Sequence, residues 1–144
     1  MASSTRPRTT KALLVVEALC ATFGYLGGVM FFVDPSGKMY GLDVNLAHLP
    51  VKDFLLVGLW LFVVYGVGFS LATYALWNRK PWAWMSAVSL SIVWIGWIAV
   101  ETFLLGVSPF IDVWLVPPVL GLLLLFEPGI RREFGTVRRK SLTA

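Results

Sequence analysis

The sequence predicts an all-α integral membrane protein, an antiparallel bundle of four transmembrane helices. Three observations carry that expectation. The 144-residue chain is 58% hydrophobic and only 14% charged, where a soluble domain carries roughly a quarter charged residues. Its mean hydropathy is +0.78. Its apolar residues fall in four runs, roughly Ala12–Val33, Phe54–Trp77, Trp82–Val107 and Pro109–Phe126. None of these alternates polar and apolar residues, as a membrane-barrel strand of about ten residues does.

The first run is read as a retained transmembrane helix. The preceding "STRPRTTK" resembles the charged start of a signal peptide. The apolar run is too long for such a peptide, and no small-x-small cleavage site follows it. About 20 residues of helix span a hydrocarbon core. The second and third runs meet that length. The fourth is short and needs interfacial residues to extend it. Between the first two runs, "VDPSGKMYGLD" sets Pro35 against Gly37 and Gly41, which suits a type I turn with Asp34 accepting local amides. "WNRKPWAW" forces a tight hairpin between the second and third runs, and "GVSPFID" makes the third turn. Residues 1–128 thus form the transmembrane domain and 129–144 a basic cytoplasmic tail.

Charge placement sets the orientation. Arg6, Arg8, Lys11, Arg79, Lys80, Arg131, Arg132, Arg138, Arg139 and Lys140 fall on one side of four crossings, and only Lys38 and Lys52 on the other. The positive-inside rule then places both termini in the cytoplasm. Bases confined to connections and tails offer no basic stripe for nucleic acid. The tail, with five bases, is attracted to anionic lipid by about 1 kcal/mol per base.

The single cysteine, Cys20, excludes an intrachain disulfide, a CxxC pair and a cysteine zinc site. Scattered acids and one histidine, His48, carry no metal-ligand spacing. Catalytic triads, phosphate loops and dinucleotide fingerprints are absent from the sequence. No metal and no cofactor is expected.

Small residues indicate packing faces. Glu17, Ala21, Gly24 and Gly28 share one face of the first helix, which should therefore meet another helix. Gly58, Gly66 and Ser70 do the same in the second. In the third, Ser86, Ser89, Val93 and Gly96 form one stripe, and Trp94, Trp97 or Ile98, and Glu101 a neighbouring one. Pro117-Pro118 predicts a kink in the fourth helix that frees the carbonyls of Val113 and Trp114.

An acid inside a membrane is a functional candidate by default. Glu17 is one, and Glu101, about one and a half turns from the outer surface, is the other. Asp34, Asp53, Asp112 and His48 lie toward the same outer side. The aspartates also suit turns and helix starts.

With "FFVDPSGKMYGLD", "DFLLVGLWLFVVYGVG", "WNRKPWAW" and "WIGWIAVETFLLG", the chain resembles a group of small four-helix bacterial inner-membrane proteins. Their pattern has a DPSG-LGL loop, an Asp before the second helix and a Trp-Ile-x-Val-Glu stretch in the third. Val57 stands where that pattern has a proline. The resemblance implies an architecture and a bacterial inner-membrane location, with no activity attached.

Three functional expectations follow. The first is a non-enzymatic protein binding a small apolar or cationic amphipathic molecule, or a partner membrane protein or second copy. Its site comprises Trp94, Trp97 and Glu101, with Asp34 and Asp53 nearby, because tryptophan faces and a carboxylate attract cations. The second is a proton-coupled transporter using Glu17 or Glu101. "VVEAL" superficially resembles the glutamate helix of small multidrug transporters, but the strong base asymmetry fixes one orientation where those insert in two. The third is an intramembrane isomerase or cyclase with Glu101 as general acid, paired with Asp53 or Asp34.

Overall fold

The computed structural model describes residues 7–42, 51–105 and 113–142, with side chains as far as 104 in the second stretch and 135 in the third. Among these residues the chain is helical, with no strand. We label the helices α1 (Arg8–Val33), α2 (Leu55–Trp77), α3 (Ala83–Leu105), α4 (Val116–Leu125) and α5 (Pro128–Leu142). Three of them, α1 to α3, are long and apolar enough to cross a membrane. Their outward residues are apolar as well: Leu56 is 71% exposed, Leu71 54% and Phe103 87%. A helix apolar all round belongs against lipid or deep in a core, so these faces fit lipid contact.

In lipid, packing rather than water exclusion holds helices together, and glycine permits the closest approach. The expected faces of α1 and α2 meet in this way. A Cβ on Gly24 would stand 2.7 Å from the Tyr65 carbonyl carbon, and one on Gly28 2.9 Å from the Gly58 oxygen. A Cβ on Gly66 would strike the Tyr25 ring at 2.6 Å. The Tyr25 hydroxyl and Ser70 Oγ lie 3.2 Å apart across the same seam. Within α2, Leu61–Val67 winds as a π-helix. The wider turn, often found at functional sites, faces Tyr65 inward. That side chain is fully buried, and its hydroxyl donates to the Val93 carbonyl of α3 at 3.3 Å.

The turn between α2 and α3 is a Schellman motif. The Lys80 amide donates to the Ala75 carbonyl at 2.9 Å and the Arg79 amide to that of Leu76 at 3.3 Å. The motif places Arg79, at φ 50°, in the left-handed region usually given to glycine. The loop after α1 is tied with equal care. The Gly37 amide closes the Asp34 turn at 3.1 Å, with Gly37 at φ 70°. Asp34 accepts from Ser36 Oγ at 2.6 Å and the Met39 amide at 2.7 Å. These bonds, the Ser36 hydroxyl first, hold its carboxyl below the usual aspartate range.

Two expectations need correction. The buried stripe of α3 is Ala83, Ala87, Ser91, Trp94 and Ile98, whereas Ser89, Val93 and Gly96 point outward. The glycine seam already occupies α1 and α2, so α3 approaches with alanines and an aromatic. Pro117 and Pro118 do not kink a helix midway. They lie in the first turn of α4, where a missing amide costs no hydrogen bond. At ten residues, α4 is about 15 Å long and by itself falls short of a hydrocarbon core.

The segment expected as a basic tail is helical over residues 128–142, as α5. Glu127 caps it by accepting the Ile130 amide at 3.1 Å. Ile130 and Phe134, one turn apart, are buried with Leu13 of α1, Leu76 of α2, Ala83 of α3 and Leu125 of α4. Glu133 pairs with Arg79 at 2.9 Å and accepts from Thr10 Oγ1 at 2.9 Å. The start of α1, the α2–α3 turn and α5 therefore share one basic end. Asp34, Asp53 and Glu101 belong to the other.

Candidate functional site

At the end away from α5, the helices leave a cavity of about 300 Å³, the lower range of small-molecule sites. Its lining is apolar and aromatic, including Phe23 and Phe31 of α1, Val57 of α2, Trp94 and Trp97 of α3, and Trp114 before α4. Glu101 is the one charged side chain among the described lining residues. Helical spacing produces this arrangement. Trp94, Trp97 and Glu101 recur at three and four residues, which aligns them along one stripe of α3.

Aromatic packing fixes that stripe. The rings of Tyr65 and Trp94 lie 4.5 Å apart, those of Phe69 and Trp94 5.5 Å, and those of Trp60 and Trp97 5.9 Å. Phe23 meets Trp114 edge-on at 4.8 Å. The Trp97 indole N–H faces the Glu101 carboxyl one turn on, without the geometry of a full hydrogen bond. A carboxyl facing an apolar cavity can accept a hydrogen bond from a guest or attract its positive charge. Low dielectric strengthens both interactions.

Three of the expected site residues thus come together: Trp94, Trp97 and Glu101. Asp34 and Asp53 do not line the cavity. Asp34 is committed to its turn, and Asp53 Oδ1 accepts the Leu55 amide at 3.0 Å at the start of α2. Neither aspartate therefore stands beside Glu101 among the described lining residues. Asp112 and His48 lie outside the described residues. Sequence reasoning missed Phe23, Phe31 and Trp114. Their rings look like any other aromatic in an apolar run until packing turns them to the cavity.

Glu17 occupies a different place. It is fully buried where α1, α3 and α4 converge. A Cβ on Gly121 of α4 would stand 3.3 Å from Glu17 Oε1 and 4.0 Å from Ser91 Oγ of α3. Glycine makes room for the carboxyl. Neither Glu17 oxygen nor the Ser91 hydroxyl has a hydrogen-bond partner among the described residues. The Ser70 and Thr73 hydroxyls, by contrast, donate to the carbonyls one turn back, Gly66 at 2.8 Å and Phe69 at 2.8 Å. Cys20, one turn from Glu17, is buried and unpaired. Among the described residues no three His, Cys, Asp or Glu side chains converge as metal ligands would. No family model matches the chain, and no curated protein or solved structure matches it.

Proposed function

We propose that this chain is a multi-pass protein of a bacterial inner membrane that binds a membrane-dissolved amphipathic molecule in the Glu101 cavity. The guest has an apolar body and a cationic or hydrogen-bond-donating head. The observation that carries the reading is a cavity of about 300 Å³ walled by aromatics with one carboxyl set in it. Tryptophan faces and a carboxylate together favour a cationic head over a neutral one. The proposed topology is a four-helix bundle with both termini cytoplasmic. It is supported by the ten-to-two asymmetry of bases and by the packing of Ile130 and Phe134 beside the start of α1.

The test compares a long-chain alkylamine with the alkanol of equal length, following tryptophan fluorescence in detergent. The amine should bind more tightly, and Glu101→Gln should abolish the preference while leaving alkanol binding intact. Equal affinity of the parent protein for both molecules would remove the basis for this function.

Proton-coupled transport is a second reading. It is favoured by the unpartnered Glu17 carboxyl, a second acid among the same helices. Reconstituted vesicles should then show amine-driven proton movement that Glu17→Gln abolishes. Amine binding without proton movement would leave the binding function alone.

A further inference from the structure

At the basic end, a second groove of about 180 Å³ opens between the start of α3 and α5. Pro81, Trp84 and Met85 form one wall, and Arg131, Phe134 and Gly135 the other. The groove is built on fixed parts. The Trp84 indole N–H donates to the Leu125 carbonyl at 2.9 Å, which also satisfies the end of α4. Phe134 is 4% exposed and anchored in the core. Arg131 is exposed at the rim, its guanidinium 5.8 Å from the Phe126 ring centre.

Charge at this end is one-sided. Arg8, Lys11, Arg79, Lys80, Arg131 and Arg132 stand against Glu127 and Glu133. Both acids are engaged: Glu127 caps α5, and Glu133 holds Arg79 and Thr10. An exposed apolar face adjoins the groove. Met85, 49% exposed, and Ile92, 56% exposed, lie seven residues apart on one outward face of α3, and Trp82 beside them is 47% exposed. That face makes an apolar track running from the groove along the helix. Tryptophan at such a level suits the headgroup boundary.

We propose that this groove binds an anionic phospholipid, with its phosphate on Arg131 and one acyl chain along Met85 and Ile92. A guanidinium binds phosphate oxygens through paired charge-assisted hydrogen bonds. The apolar wall and its outward track give a lipid an advantage over free phosphate. The inference rests on the membrane reading and is independent of the Glu101 cavity.

Native mass spectrometry of the delipidated protein tests it, with phosphatidylglycerol and phosphatidylcholine of the same acyl chains. Phosphatidylglycerol should be retained in preference. Arg131→Gln should lower that retention about tenfold, the weight of a charge-assisted contact, and leave phosphatidylcholine unchanged. Gly135→Leu, whose side chain starts in open space, should fill the groove and lower retention with helical content unchanged. Lys38→Gln, at the other end, should have no effect. Equal retention of the two lipids by the parent, or undiminished phosphatidylglycerol binding by Arg131→Gln, would overturn the proposal. So would full displacement of the lipid by millimolar inorganic phosphate, which would mark the groove as an anion site. Loss of amine binding at the Glu101 cavity would leave the lipid result standing, so the two proposals fail separately.

Discussion

Gly24→Ala should loosen the seam between α1 and α2. The added methyl would meet Tyr65 Cβ at 2.8 Å and the Tyr65 carbonyl carbon at 2.7 Å, where ordinary contacts begin near 3.4 Å. It would come closer still to the Gly66 amide nitrogen. Two of these three atoms are backbone and cannot rotate away, so α2 must retreat by about 0.7 Å or more. A gap of that size forfeits roughly a quarter or more of each dispersion contact it opens. Gly28, one turn along α1, and Gly58, which it meets, would lose contact together with Gly24. Overpacking of this kind costs about 1–3 kcal/mol, which shifts an unfolding equilibrium by about fivefold to more than a hundredfold. Equilibrium unfolding by SDS titration in mixed micelles reads that shift. Gly96→Ala is the control, because its methyl meets nothing within 4 Å. The seam is refuted if Gly24→Ala unfolds at the same SDS fraction as the parent while retaining its helix content.

Other outcomes follow from the same contacts. Replacing both Glu17 and Ser91, as Glu17→Leu with Ser91→Ala, removes three unpartnered buried oxygens. Removing buried polar groups that lack partners is near neutral or stabilising, so SDS unfolding should come no earlier than in the parent. A marked loss of stability would mean that these oxygens hold a structural guest. Asp34 has a depressed folded pKa, so its contribution to the loop is present above the ordinary aspartate value of 3.8 and is lost as pH falls through the lower folded value. Protection of the Met39 amide, relative to its intrinsic exchange rate, should fall over that acid window, and Asp34→Ala should lack it at neutral pH; pH-independent protection would contradict the capping role. Arg79→Gly should be nearly neutral. Relief of a left-handed non-glycine residue is of the order of 1 kcal/mol, and the partly exposed Glu133 pair contributes about 0–1 kcal/mol. Large destabilisation would show that the pair, not the turn, holds α5.

Much of this arrangement is legible in the residues, for physical reasons that can be named. The Glu17–Ala21–Gly24–Gly28 spacing identifies a helix face because glycines on one side of a lipid-embedded helix have one main use, close approach. The Trp94–Trp97–Glu101 stripe is legible because helical periodicity alone aligns it. The face of α3 is not, since its serines and alanines are almost equally small, and the choice depends on where the glycine seam leaves room. The π-helix of α2 leaves no sequence mark, as it arises from fitting Tyr65 between α1 and α3. The five bases of the tail mask Ile130 and Phe134, whose spacing of four is the only local sign that α5 packs. Ser91 and Gly121 become notable only when Glu17 is placed between them.

The most direct test of the account is to locate a guest. A photoactivatable long-chain alkylamine, irradiated with the protein and mapped by mass spectrometry, reports which residues line its site. The account predicts labels around Phe23–Phe31 and Trp94–Leu104, competed by unmodified amine and reduced in Glu101→Gln. Labels spread over the outward faces at Leu56 and Leu71, unaffected by competitor or by the substitution, would contradict it.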